Sequence, residues 1–143
     1  MIRHIWTVLC SRSITDKDTN NISLLDVIEE IQLGVKKGTN KEEVAIPFPF
    51  QWVTFWAREK GEEDKPTDGR VKDIVFGPSG KIIFTKEYKV DLSQSKRTRF
   101  VRNLQGMPAP DSGQYTFLTQ VRNEHSNVWE DVSEVPLEVS IAE

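Results

Sequence analysis

The sequence predicts an all-β fold, a two-sheet antiparallel β-sandwich of about eight strands. Three observations predict it: segments in which apolar and polar residues alternate recur along the chain, clusters of turn-forming residues separate them, and no segment carries a secure helical pattern. With 37% hydrophobic and 29% charged residues, the chain has the composition of a globular protein. We expect one domain over residues 1–143, large enough to bury a core without metal or disulfide cross-links.

The alternating segments give the predicted strands in chain order. They cover residues 2–10, 51–60, 70–76, 81–90, 97–104, 114–122 and 129–141, the last in one piece or in two around Pro136. A hairpin turn is indicated by the sequence Gly77-Pro78-Ser79-Gly80. Polar or charged loops are predicted at residues 11–21, 34–43 and 59–69.

Residues 22–35 fit two patterns. Leu24 and Ile28 recur at helical spacing, but the apolar residues through Leu33 also fit a strand with a bulge near residues 25–27. Because the other predicted elements of the chain are all strands, the bulged strand is favoured, and a helix is the alternative.

The sequence Asp-Ser-Gly-Gln-Tyr at residues 111–115 favours an immunoglobulin-like sandwich. In immunoglobulin domains an Asp-x-Gly-x-Tyr pattern enters strand F, where the tyrosine hydroxyl bonds back to the backbone and a cysteine follows two residues later. Phe117 occupies the position of that cysteine. The pattern therefore predicts that Tyr115 is a corner tyrosine, the alternative being a simple turn before a strand.

Four stretches near the two ends of the chain, residues 8–11, 16–24, 108–117 and 135–139, resemble a bacterial family of uncharacterised single-domain proteins. The middle of the chain does not align with that family. The resemblance implies a β-sandwich and a bacterial origin. It implies no functional residues, because the family has no assigned activity.

No group of residues in the sequence has the spacing that a known catalytic or metal-binding motif requires. His4 and His125 are the only histidines, and neither has a second His or a Cys at ligand spacing. Asp16, Asp18 and Asn20 open a calcium-loop pattern, but its later glycine and glutamate are absent, so Asx-turns explain them better. No phosphate-binding glycine loop or nucleophile elbow is present. We therefore expect no enzyme activity, no metal and no cofactor.

The charge balance argues against nucleic acid as a partner. Lys and Arg total 19 against 22 Asp and Glu, which gives a net charge of −3. One basic cluster, residues 96–99 with Arg102, could contact phosphates. The favoured interpretation is an edge strand whose charges prevent sheet-to-sheet aggregation.

Cys10 is the only cysteine, so no intrachain disulfide can form. Alternation predicts that Cys10 is a buried, inert thiol. The opening stretch fails as a signal peptide, and no apolar run has the length of a membrane span. A cytoplasmic location and no membrane partner are expected.

The strand at residues 51–60 carries the candidate binding residues Trp52, Trp56 and Arg58 on one face. The polar residues on that face assign it to the outside of the sandwich, with Val53 and Phe55 inside. An outer face with two tryptophans and a guanidinium is typical of an interface or a ligand platform. In the alternatives, the assignment is reversed or the following loop covers the tryptophans.

Three functional hypotheses follow. The first is a non-enzymatic interaction or assembly module that self-associates through the tryptophan face or binds an unknown protein partner. The second is a carbohydrate-binding module, because exposed aromatic stripes can stack on sugar rings. The third is an enzyme without a recognisable motif. No particular small-molecule ligand is indicated.

Overall fold

Alternation of apolar and polar residues builds a molecule of nine strands in two packed sheets, which confirms the predicted all-β sandwich. The computed structural model covers Met1–Glu143. The strands are β1 (Ile2–Thr15), β2 (Ile22–Val27), β3 (Glu30–Gly34), β4 (Phe50–Arg58), β5 (Thr67–Phe76), β6 (Ile82–Leu92), β7 (Arg97–Leu104), β8 (Gly113–Asn123) and β9 (Glu130–Ala142). A single 3-10 turn covers Lys41–Glu43, and no helix in the chain has the length and apolar character needed to cross a membrane.

The first sheet has the strand order β2-β1-β4-β7 and the second has the order β3-β9-β8-β5-β6. All neighbours pair antiparallel except β3 and β9, which are parallel. The chain crosses between sheets from β2 to β3, from β3 to β4, from β4 to β5, from β6 to β7 and from β7 to β8, as in Greek-key sandwiches. Strands β6 and β7 are therefore edge strands of opposite sheets.

Residues 22–35 form two strands, so the favoured strand interpretation is confirmed and the helical alternative is wrong. The predicted bulge is a crossing from one sheet to the other, because β2 pairs with β1 whereas β3 pairs with β9. Asp26 has a φ of 53° at this crossing, and the N–H of Ile28 donates to the carbonyl of Leu9 at 2.8 Å.

Tyr115 is the corner tyrosine that the sequence predicts. It is fully buried, and its hydroxyl donates to the Asp111 carbonyl at 2.8 Å and accepts from the Asp111 N–H at 3.1 Å. Two residues later, Phe117 packs edge-to-face against Trp52 of β4, with ring centroids 5.0 Å apart. This aromatic pair joins the two sheets where an immunoglobulin domain has its disulfide.

Trp52, Trp56 and Arg58 face the interior of the sandwich, so their predicted placement on the outer face is wrong. Both indoles have no exposed surface, and Arg58 is 8% exposed. Trp52 belongs to the larger core cluster with Phe117, and Trp56 belongs to a second cluster with Val71 from the opposite sheet. Two polar residues of this face, Thr54 and Arg58, do not mark an outer surface, because both are buried with hydrogen-bond partners inside.

The outer face of β4 is also covered, in part, around Val53. Val53 is fully buried although it points away from the core. The hairpin of β1 and β2 leans over it: the Ser13 hydroxyl donates to Gln51 Oε1 at 2.7 Å, and Arg99 donates to the carbonyl of Asn20 at 2.8 Å. The face assignment from the sequence assumed that only one face of a strand is buried, and that assumption does not hold for β4.

Replacing Tyr115 with Phe should lower the free energy of unfolding by about 1–2 kcal/mol, because the buried polar groups of Asp111 lose their partner. Urea denaturation of the parent and Tyr115→Phe measures the difference. The denaturation midpoint should fall while the dependence on urea concentration stays the same. An unchanged midpoint would mean that the corner hydrogen bonds contribute nothing to stability.

Candidate functional site

A layer of polar side chains divides the core into its two apolar clusters. Five strands contribute one inward polar side chain each at this level: Thr54 of β4, Asp73 of β5, Tyr88 of β6, Arg102 of β7 and Thr119 of β8. In β5 the inward residues on both sides of Asp73 are buried valines. The layer is therefore a local interruption of apolar strands, not a polar end of the sandwich.

The centre of this layer is an ion pair between the two sheets. The Arg102 Nε is in direct contact with Asp73 Oδ2, and Nη2 donates to Asp73 Oδ1 at 3.2 Å. Arg102 Nη1 donates to the Thr54 hydroxyl at 3.2 Å. The guanidinium carbon lies 5.0 Å from the ring centroids of Trp52 and of Tyr88, so aromatic rings also hold the cation.

Burial dominates the electrostatics of Asp73, whose side chain is 0% exposed. Burial raises the pKa of this carboxyl from 3.8 to about 6, although Arg102 favours the charged form. The Tyr88 hydroxyl donates to Asp73 Oδ1 at 3.4 Å, and burial raises the pKa of Tyr88 as well. Asp73 thus titrates close to neutral pH, a property common at functional sites.

Two further polar groups of the interior have no hydrogen-bond partner in the protein, Trp52 Nε1 and Thr119 Oγ1. Thr119 lies opposite Asp73 in the pairing of β8 with β5. Unpaired buried polar groups are rare in folded proteins and cost stability. The polar layer is therefore not optimised for stability alone.

The polar layer opens to solvent through a cleft of about 550 Å³ between the edge strands β6 and β7. Asp73 and Arg102 line it from the inside, and Lys86, which pairs with Asp73 across β5 and β6, lines it from the exposed edge strand. The apolar walls are formed by Ile83, Phe84, Val101, Leu104, Met107 and Pro108. An apolar cleft with a few convergent polar groups is the usual form of a small-molecule site.

The residues predicted from the sequence as a binding surface are structural. The Trp56 indole N–H donates to the Thr54 hydroxyl at 2.9 Å. The Arg58 guanidinium donates to three backbone carbonyls: that of Leu92 at 2.9 Å, that of Glu63 at 2.8 Å and that of Ser93 at 3.3 Å. Arg58 thereby anchors the loop after β4 and the turn before β7. Of the three candidates, Trp56 contacts the polar layer through Thr54 and Trp52 contacts it through Arg102, whereas Arg58 bonds only to the backbone.

The predicted basic cluster does not form one surface. β7 is an edge strand, as the favoured interpretation required. Lys96 pairs with Asp64 at 3.6 Å, Arg99 bonds to the β1–β2 hairpin, and Arg102 is inside the sandwich. Arg102 thus belongs to the basic cluster that the sequence showed, but its inward direction was not predicted.

The predicted Asx-turn and the predicted burial of Cys10 are confirmed. The Asp16 carboxylate accepts hydrogen bonds from the backbone N–H groups of Asp18 and Thr19 at 2.8 and 2.9 Å, which is an Asx-turn. Cys10 is fully buried, and burial raises the pKa of its thiol.

No family model matches the chain, and no curated protein matches it in sequence. The resemblance to a bacterial family therefore stays a prediction. Among solved structures, the chain is similar to a family 123 glycoside hydrolase from Clostridium perfringens, whose structure was analysed for glycolipid glycan hydrolysis. The TM-score is 0.50 at 8% identity, and the match covers 99% of this chain but 28% of the hydrolase. The chain thus spans less than a third of that enzyme's length, and the likeness concerns the fold alone.

The raised pKa of Asp73 predicts a specific dependence of stability on pH. Between pH 3.8 and about 6 the folded state holds the Asp73 proton that the unfolded state releases, so ionisation destabilises the fold as the pH rises. Above that window, the ionised Asp73 lowers the free energy of unfolding by about 3 kcal/mol, because each unit by which the pKa is raised corresponds to about 1.4 kcal/mol.

Urea denaturation from pH 3.5 to 7.5 should show this decline in the parent and not in Asp73→Asn. Asp64→Asn is the matched control, because it removes a carboxylate that is 97% exposed. Parallel stability profiles for the parent and Asp73→Asn would contradict the raised pKa.

Proposed function

We propose that this chain is a non-enzymatic binding module whose ligand enters the cleft between β6 and β7. The observation that carries the proposal is the Asp73–Arg102 pair at the inner end of that cleft. Replacing a buried ion pair by apolar residues of similar volume is often neutral or stabilising. A pair that is costly to bury and reachable from a cleft is better explained by recognition than by stability.

Binding is favoured over catalysis by the groups that line the cleft. Asp73 is the only carboxylate among them, and Arg102 already holds it. Glycoside hydrolysis uses a pair of carboxylates on either side of the scissile bond. The cleft also has no cysteine, serine or histidine in its wall that could act as nucleophile or general base.

The proposed interaction module therefore binds through the cleft and not through the tryptophan face. Self-association through Trp52 and Trp56 has lost its surface, because both indoles are fully buried. The carbohydrate hypothesis has lost its exposed aromatic stripe for the same reason. A protein partner would have to place a side chain in the cleft to use the same polar groups.

A cytoplasmic location is part of the proposal. Its support is the lone Cys10, which cannot form an intrachain disulfide and is fully buried as a free thiol. Free thiols of this kind are usual in reducing compartments.

A fragment screen observed by NMR tests the proposal. A library of neutral, cationic and anionic fragments should include binders that shift the backbone amides of Phe84, Arg102 and Leu104, which line the cleft. The variant Leu104→Trp should weaken this binding, because Leu104 lines the cleft, lies on the same face of β7 as Arg102 and is partly exposed, so a larger side chain there narrows the opening.

Val128→Trp is the matched control, because Val128 is 63% exposed and does not line the cleft. It should leave binding unchanged. Fragments that bind only elsewhere, or that bind both variants equally, would contradict the proposed site.

A further inference from the structure

We infer that the ligand of the cleft is an organic anion, a small molecule that carries one carboxylate on an apolar body. This inference rests on the proposed function of the cleft and specifies its ligand class. Its basis is the imbalance of charge around the cleft together with the unused hydrogen-bond donors of Arg102.

The groups that line the cleft carry an excess of positive charge. Arg102 and Lys86 are cationic, whereas Asp73 is the only acidic group of the lining. No carboxylate lies within ion-pair distance of Lys86, so its charge is not neutralised by the protein. One negative charge from a ligand would balance the site.

Arg102 has donors left for such a ligand. A guanidinium carries five N–H groups. Nε and Nη2 face Asp73 and Nη1 donates to Thr54, which leaves one N–H on each terminal nitrogen. The side chain is 13% exposed, and its plane is fixed by Trp52 and Tyr88. A fixed guanidinium with two free N–H groups suits a carboxylate, which accepts two parallel hydrogen bonds.

The walls of the cleft specify the remainder of the molecule. Phe84, Leu104 and Met107 present aromatic, aliphatic and thioether surface beside the cations. A free inorganic anion would leave these walls in water, whereas an apolar body buries them and gains hydrophobic free energy. A flat aromatic or short aliphatic carboxylate satisfies both halves of the cleft.

Protonation of Asp73 should favour the anion, because a neutral Asp73 no longer competes for Arg102. The titratable or charged groups that face Asp73 are Lys86 and Tyr88 from β6 and Arg102 from β7. Strands β4 and β8 present only the uncharged Thr54 and Thr119. Binding should therefore tighten as the pH falls through the range near 6 in which Asp73 titrates.

Calorimetric titration with 2-naphthoate and its neutral analogue 2-naphthamide tests the ligand class. At pH 7.5 the carboxylate should bind about tenfold more tightly than the amide, a difference of about 1.4 kcal/mol. Naphthoate affinity should rise several-fold at pH 5.5. Asp73→Asn should bind naphthoate more tightly than the parent at pH 7.5 and lose this pH dependence.

Lys86→Gln keeps the test independent of the core, because Lys86 is exposed. It should weaken naphthoate several-fold and leave naphthamide unchanged. Lys89→Gln is the matched control: it removes the same charge from the other face of β6, where Lys89 pairs with Asp68 at 3.3 Å, and should change neither ligand.

Equal binding of naphthoate and naphthamide in the cleft would overturn the anion inference and leave the cleft as a binding site. Equal effects of Lys86→Gln and Lys89→Gln would also overturn it, because the charge would then act at long range. If neither ligand binds, the anion inference fails, and the fragment screen decides the proposed function separately.

Discussion

The ion pair between Asp73 and Arg102 links the two sheets at mid-height, and the surrounding interior is arranged around it. A charge taken out of water needs partners, and removing one member of a buried pair typically costs about 3–5 kcal/mol. Thr54, Tyr88 and Trp52 supply those partners as hydroxyl groups and ring faces. The apolar core is consequently split in two, and the edge strands that meet nearest the pair leave the cleft through which it can be reached.

Most of the fold could be predicted from local sequence patterns. Alternation located the strands because a pleated strand turns successive side chains to opposite faces. The turn sequence before β8 identified Tyr115 as a corner tyrosine because the Tyr115 hydroxyl bonds to the backbone of Asp111, only four residues away. The crossing from β2 to β3 could not be predicted in this way. It depends on the left-handed backbone of Asp26 and on which distant strand each half pairs with, β1 for one and β9 for the other.

The site escaped prediction for a related reason. The polar residues Thr54 and Arg58 suggested an outer face, although each is buried with a partner from another strand or loop: Thr54 accepts from Arg102, and Arg58 donates to Leu92. Partners from distant parts of the chain are invisible in a local pattern. One unused signal is present in the sequence: Asp73 has the same phase of the alternation as the valines on either side of it, a pattern that would have placed its charge inside. Arg102 stood in a basic cluster, and only the packing of the sheets distinguishes it from its exposed neighbours.

The Asp73–Arg102 pair, on this proposal, is kept for recognition and contributes little net stability. Replacing both at once, in the double variant Asp73→Leu with Arg102→Met, tests it most directly, because no buried charge is left behind. In urea denaturation at pH 7.5 the double variant should be within about 1 kcal/mol of the parent, or more stable, and it should no longer bind naphthoate in the cleft. A double variant that is several kcal/mol less stable, or one that still binds naphthoate like the parent, would contradict it.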